Sequence, residues 1–335
     1  MSSVLDRARR RRRTAFVLSG GGNLGALQVG MLRALAEAEI VPDVVVGCSV
    51  GSLNGAAFAA APTLAGVRRL EDHWHSIGSF DIMPSSIIPP AVNLVRKGAS
   101  LHPSDGLRRN LEAILGVDPV FESLTVPFEC VATDIDSATA TWFNEGPLLP
   151  AVLASAALPA VYPPVTIDGR RFMDGGVVDN VPVARAVELG CRTVYVLHVG
   201  PHGRPDVEIR RPLDAALLAY WIARNHRFAR DLANLPAGVE AVVLPTGERP
   251  DLRFDDFSRT GELMEQGYAL TRDFLAERAL VPADRRRPTE RLEPLQRLVV
   301  NARTRRRRQL AQDAVETTTG AIVEGEEGTV GDGVD

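Results

Sequence analysis

The sequence predicts an α/β fold: a central, mostly parallel sheet flanked by helices. Three observations carry this expectation. Short apolar runs alternate along the chain with longer segments of helical periodicity. The runs are continuous, as in strands covered on both faces. Glycine-bearing turns stand where strands give way to helices.

In order, "TAFVLS" at 14–19 reads as a buried strand ended by glycines, and 24–39 as a helix with Leu27, Met31, Leu32 and Leu35 on one face. Residues 43–46 form a second buried strand, 50–61 a helix of small residues, and 65–77 another helix. Residues 78–101 are irregular, broken by Pro84, Pro89 and Pro90 and rich in apolar side chains such as Ile87 and Ile88. A helix at 105–115 precedes strands at 127–134 and 139–143 and a helix at 147–156. "TIDGRRF" marks a hairpin turning at Asp168 and Gly169. A helix at 181–189, a strand at 193–199, a helix at 210–234, a strand at 239–244 and a helix at 256–278 complete the body. No internal repeat is visible. Residues 1–13 and 311–335 read as disordered arms, and 285–310 as an arginine-rich segment with enough leucine for a short helix.

A length of 335 residues with 45% hydrophobic and 24% charged residues suits one large domain, placed at 14–284, or two modest ones. The net charge of −4 conceals an uneven distribution. Residues 1–13 carry roughly +5, 285–310 roughly +8 and 311–335 roughly −7, which leaves an acidic body of roughly −10. The three cysteines, Cys48, Cys130 and Cys191, are spaced neither as zinc ligands nor as a disulfide framework. A reducing, cytoplasmic setting follows. "RRRRRTAFVLSGGG" at 9–22 resembles a twin-arginine signal, but its apolar part stops too soon. The uncharged stretch 44–67 is interrupted by glycines, polar residues and Pro62, so it reads as strand, turn and helix and not as a membrane span.

Three glycine turns carry the chemistry. "SGGGNLGALQ" at 19–28 fits G-x-G-x-x-G through Gly20, Gly22 and Gly25. A dinucleotide site would also need an acid at the end of the second strand to hold the ribose. Asp43 instead begins that strand, and the far end carries "GCSVGS". The competing reading is a loop whose backbone N–H groups hold an oxyanion. "GCSVG" at 47–51 matches the G-x-S-x-G nucleophile elbow, with Gly47 and Gly51 leaving room for a strained turn that presents Ser49. Cys48 lies one residue off the centre, where a side chain points into packing. "FMDGGVVDN" at 172–180 projects Asp174 from a tight turn, or is a plain Asp-Gly β-turn.

Ser49 needs a base. In a triad following α/β-hydrolase order, the histidine comes after the acid, which leaves His198, His202 and His226. His198 sits in a strand and reads as structural, and His202 in "GPHGRP" is the best triad candidate. His73 and His75 read as helix-surface residues. The alternative is an aspartate that takes the serine proton directly.

The three turns, in this order, resemble the patatin-like phospholipase family, with its glycine-rich oxyanion loop, G-x-S-x-G elbow and D-G-[GA] turn. "ASAALPAVYPPV" at 154–165 and "ELMEQGYALTRDFL" at 262–275 resemble further family segments. The likeness spans about residues 14–280 and is nearest to small bacterial members related to the neuropathy target esterase domain. It implies a three-layer patatin-like fold and a serine lipid acyl hydrolase of phospholipase A or lysophospholipase type. Ser49 would be the nucleophile, Asp174 the base of a Ser–Asp dyad, and Gly20, Gly21 and Gly22 the oxyanion-hole candidates, with Gly47 and Gly51 the elbow glycines. Many members carry Arg or Lys where this chain has Leu24, which bears on substrate preference more than on catalysis. The resemblance implies a lipid or lysophospholipid substrate, no cofactor and no metal. No nucleic-acid partner is expected. Residues 78–101 are a candidate lid, and the arginine-rich arms a candidate contact with anionic membrane. The rival readings are a catalytically inactive lipid-binding module and a Ser-His-Asp hydrolase using His202.

Overall fold

A computed structural model describes residues 13–77, 105–159, 161–200, 209, 212–247 and 256–280. All lie in one unit formed by Met1–Pro201 and Pro205–Arg286. The arms at 1–12 and 311–335, the candidate lid at 78–101, the segment 285–310, His102 and His202 lie outside the described residues.

The strands are β1 (Arg13–Leu18), β2 (Val44–Cys48), β3 (Phe128–Asp134), β4 (Thr139–Phe143), β5 (Val165–Ile167), β6 (Arg170–Asp174), β7 (Cys191–Leu197) and β8 (Glu240–Val243). The helices are α1 (Gly25–Glu37), α2 (Val50–Ala60), α3 (Leu64–Ser76), α4 (Asp105–Leu115), α5 (Leu148–Ser155), α6 (Gly176–Asp179), α7 (Val183–Glu188), α8 (Pro212–Ala233) and α9 (Thr260–Leu280).

The expected α/β architecture is present. One eight-stranded sheet runs β5-β6-β3-β2-β1-β7-β8, with β4 also paired to β3. The stretch β3-β2-β1-β7-β8 is parallel, while β4, β5 and β6 pair antiparallel. Helices connect the strands and flank the sheet. β1 and β2 are buried along Ala15–Leu18 and Val44–Cys48, as continuous apolar runs require.

Two boundaries differ informatively from the sequence reading. The second strand was expected to end at Val46, yet β2 continues through Gly47 and Cys48 because both pair with β3, opposite Cys130 and Val131. The helix expected over 181–189 is the shorter α7, and a separate turn of helix, α6, precedes it. Pro182 lacks the N–H that would continue a helix through this point, and its ψ of 57° turns the chain.

Helix α1, which carries the first glycine turn, packs most extensively against α9. The axes approach so closely that a Cβ on Gly30 would lie 1.9 Å from the Met264 carbonyl oxygen, and one on Gly267 2.3 Å from that of Leu27. Arg33 adds ion pairs to Glu71 of α3 and Glu265 of α9, both at 2.9 Å. The loop after β1 therefore rests on a tightly held helix. Among the described residues no helix is long and apolar enough to cross a membrane.

Candidate active site

The sheet register brings Ser49 and Asp174 together. β4 occupies one edge of β3 over residues 130–134. The other edge is shared end to end: β2 pairs with it up to Cys48 opposite Val131, and the antiparallel β6 pairs with it from Asp134 back to Ala132, which faces Asp174. Val131 and Ala132 are consecutive, so β3 splints the last residue of β2 against the last residue of β6. Ser49 follows directly. Its Oγ donates a hydrogen bond of 2.6 Å to Asp174 Oδ2.

Ser49 has φ +53° and ψ −124°, a conformation that costs a non-glycine residue roughly 1–3 kcal/mol. Its surroundings impose it. A Cβ on Gly47 would sit 2.5 Å from the Gly51 oxygen, and one on Gly51 2.3 Å from the Leu18 oxygen, so only glycine fits either side of the turn. The Ser49 carbonyl accepts from Ser52 N at 2.8 Å and Ser52 Oγ at 2.6 Å. The Ser49 N–H donates to Ser155 Oγ at 3.0 Å.

Asp174 is 2% exposed. Its Oδ1 accepts from the Gly176 N–H at 2.7 Å, and its backbone oxygen accepts from Thr133 Oγ1 at 2.8 Å. Burial pushes the carboxyl pKa above its usual value, opposed by the hydrogen bonds from Ser49 and Gly176 and by the charge of Arg224. The carboxylate is thus a stronger base than a solvated aspartate. A carboxylate that accepts a serine hydrogen bond can remove the proton as Oγ attacks an acyl carbonyl.

The glycine loop lies alongside, since a Cβ on Gly20 would be 3.1 Å from Ser49 Cβ. One expectation is corrected here. The Gly20 N–H already donates to the Asn180 carbonyl at 3.1 Å, so Gly20 has no free donor for an oxyanion. The N–H groups of Gly21 and Gly22 have no such partner among the described residues and remain the candidates. Buried polar groups hold the loop from beneath. Gln28 Nε2 donates to the carbonyls of Ser19 (2.8 Å) and Leu197 (3.1 Å), while Gln28 Oε1 accepts from Asn54 Nδ2 (2.9 Å). Trp74 Nε1 donates to Asn54 Oδ1 at 2.9 Å. Leu24 is 5% exposed and part of the core, so leucine at this position leaves the backbone donors in place.

Among the described residues, the competitors take other places, while His202 lies outside them. Cys48 is fully buried, and burial with the nearby Asp174 charge pushes its thiol well up, which keeps it protonated. Asp43 Oδ2 accepts from the Thr14 N–H at 2.7 Å at the start of β1, the opposite end of the sheet from the glycine turn, so it cannot serve a ribose there. His198 is buried directly after β7, with its ring 4.9 Å from that of Phe228. His226 is exposed on α8, and His73 is half-buried on α3 where a surface position was expected. Among the described residues no group of three or more His, Cys, Asp or Glu is arranged to hold a metal ion.

Several contributors escaped the sequence reading although they lie inside motifs it quoted. Ser155 is the polar residue in the otherwise apolar α5. Asn180 follows the Asp-Gly-Gly turn, and its Nδ2 lies 3.4 Å from the Gly20 oxygen. A polar residue inside an apolar run was the available signal. Replacing Ser155 by Ala leaves the part-buried Ser49 N–H without its partner. The expected cost is about 1–3 kcal/mol, read as a lower urea midpoint, with a fall in kcat as the elbow loosens. An unchanged midpoint would show that the hydrogen bond carries no weight.

The family model for patatin-like phospholipase matches residues 16–187, just over half of the chain. The chain is 32% identical over 210 residues to the rat patatin-like phospholipase domain-containing protein 7, covering 62% of this chain and 15% of that protein. It is 30% identical over 195 residues to the human domain-containing protein 6 of the same name, covering 58% of this chain and 14% of that protein. It is 30% identical over 216 residues to lysophospholipase NTE1 of Eremothecium gossypii, covering 63% and 13% respectively. The aligned region thus spans about a seventh of each relative. With its sheet, its three glycine turns and this match, the chain belongs to the patatin-like phospholipase family.

Proposed function

We propose that this protein hydrolyses acyl esters of lipids through a Ser49–Asp174 dyad. The observation that carries the reading is the 2.6 Å hydrogen bond from Ser49 Oγ to Asp174 Oδ2, on a strained elbow beside the N–H groups of Gly21 and Gly22, which have no backbone partner among the described residues. Asp174 takes the hydroxyl proton while Oγ adds to the acyl carbonyl. The glycine N–H groups hold the oxyanion, a role worth on the order of 100–1000-fold in rate per donor. The tetrahedral species collapses, and the alcohol leaves with the proton from Asp174. Water then attacks the acyl-enzyme with Asp174 again as base, releasing fatty acid and free Ser49. Family membership and the names of the phospholipase and lysophospholipase relatives support a lipid acyl substrate.

A fluorescent fluorophosphonate tests the reading. The label is expected on the peptide bearing Ser49, to persist in Cys48→Ala and to vanish in Ser49→Ala. A folded wild-type chain that stays unlabelled would instead support an inactive lipid-binding module.

A further inference from the structure

Helix α8 carries three arginines, and they are not equivalent. Arg227 pairs with Asp179 at 2.8 Å and lies 3.5 Å from Asp231. Arg230 pairs with Asp231 at 3.3 Å. Arg224, one turn before Arg227, has no carboxylate ion pair among the described residues, and its Nε is enclosed without a hydrogen-bond partner. Its guanidinium lies over the ring of Tyr220, with Cζ 4.9 Å from the centroid. No hydrogen bond of normal geometry reaches the enclosed Tyr220 Oη. Burial raises the phenol pKa, so the hydroxyl keeps its proton and can donate.

The position of this pair is specific. α8 packs against α6, which begins two residues after Asp174. A Cβ placed on Gly176 would lie 2.6 Å from Tyr220 Oη and 2.9 Å from Asp174 Oδ1, so phenol and carboxylate both flank this glycine. The Arg224 charge is felt at both Asp174 and Cys48. Residues 220 and 224 stand one helical turn apart on one face.

An arginine offers donors and no acceptor. Asp174 is close enough to feel the Arg224 charge but makes no ion pair with it, so an anion that takes the guanidinium donors would offset the cost of partly burying that charge. A planar guanidinium beside a phenolic hydroxyl matches a phosphate oxygen pair. We propose that Arg224 and Tyr220 form a phosphate-recognising subsite beside the dyad, which selects acyl esters whose head group carries a phosphate. This inference rests on the hydrolase reading for its biological use, though the binding it requires does not.

The test separates the two. In a Ser49→Ala background, the full chain is titrated by calorimetry with a 1-O-alkyl glycerophosphate, the matching neutral 1-O-alkyl glycerol, and inorganic phosphate. The ether linkage cannot be hydrolysed, so turnover is irrelevant. The phosphate ether is expected to bind at least tenfold more tightly than the neutral ether. Arg224→Gln should remove about 10–100-fold of that difference, the weight of a charged hydrogen-bond pair. Tyr220→Phe, which keeps the ring, should remove a smaller part. Inorganic phosphate binding as tightly as the phosphate ether would overturn the lipid source. An unchanged difference in Arg224→Gln, with an unaltered urea midpoint, would overturn the subsite. Should Arg224→Gln unfold, Tyr220→Phe with an unchanged difference would do the same. Absence of ester turnover by wild type would sink the hydrolase reading alone.

Discussion

Ser49→Ala is expected to lower kcat for lipid ester hydrolysis by roughly 10⁴–10⁶-fold, because it removes the atom that forms the acyl-enzyme. Oγ makes one described hydrogen bond, to Asp174. The hydrogen bonds that hold the elbow use the Ser49 backbone and remain: Ser49 N–H to Ser155 Oγ, and Ser52 to the Ser49 carbonyl. The variant should therefore fold and keep its lipid affinity while losing turnover. It also takes from the buried Asp174 carboxylate the hydrogen bond that Ser49 donates, so a modest fall in the urea midpoint is expected. The measurement is kcat on a long-chain lysophospholipid beside the urea midpoint. Retention of wild-type kcat in a folded Ser49→Ala would remove Ser49 from the mechanism, and with it the dyad.

Asp174→Asn is expected to lower kcat by about 10⁴-fold and to change the shape of the pH profile. The reaction needs Asp174 unprotonated. Burial raises its pKa above the ordinary carboxylate value of about 4. Activity of the wild type should therefore rise with pH through a midpoint above about 4, with the rate lost below it. The same shift bears on stability with a definite sign. A buried acid with a raised pKa favours its protonated form in the folded state, so its contribution to stability is full below the unfolded value. That contribution falls as pH climbs through the folded one. Asparagine has no proton to lose. Its residual rate should be flat across the acid limb, and the stability of the variant should decline less with rising pH over that window. A wild-type acid limb that persists unchanged in Asp174→Asn would assign it to another group.

The Leu24 position has a related consequence. The loop residue is packed into the core, whereas the charge of Arg224, far away in sequence, acts on Asp174. If the subsite holds, the cation that reads a head group comes from α8. No spacing rule links a helix near residue 220 to a turn near residue 174, and the sequence reading placed no function there.

What the chain determined locally was legible. Continuous apolar runs specified buried strands, because a strand covered on both faces has no polar side to show. The glycines at 47 and 51 announced a tight turn about Ser49, since any Cβ there would strike backbone oxygen. Cys48 followed from the same turn. Other features needed the tertiary structure. Strand register is set by packing between segments that are distant in sequence, and it alone seats Cys48 and Asp174 opposite consecutive residues of β3. Hydrogen-bond partners are chosen only once elements have docked. For that reason the glycine run offers Gly20 as a donor although the Asn180 carbonyl takes its N–H in the fold, and nothing local to α5 tells that Ser155 Oγ accepts from Ser49. The sequence by itself determined the turns and the side chains they present. Only the folded sheet decided which of those side chains meet, because a turn is steric and local whereas a meeting depends on long-range register.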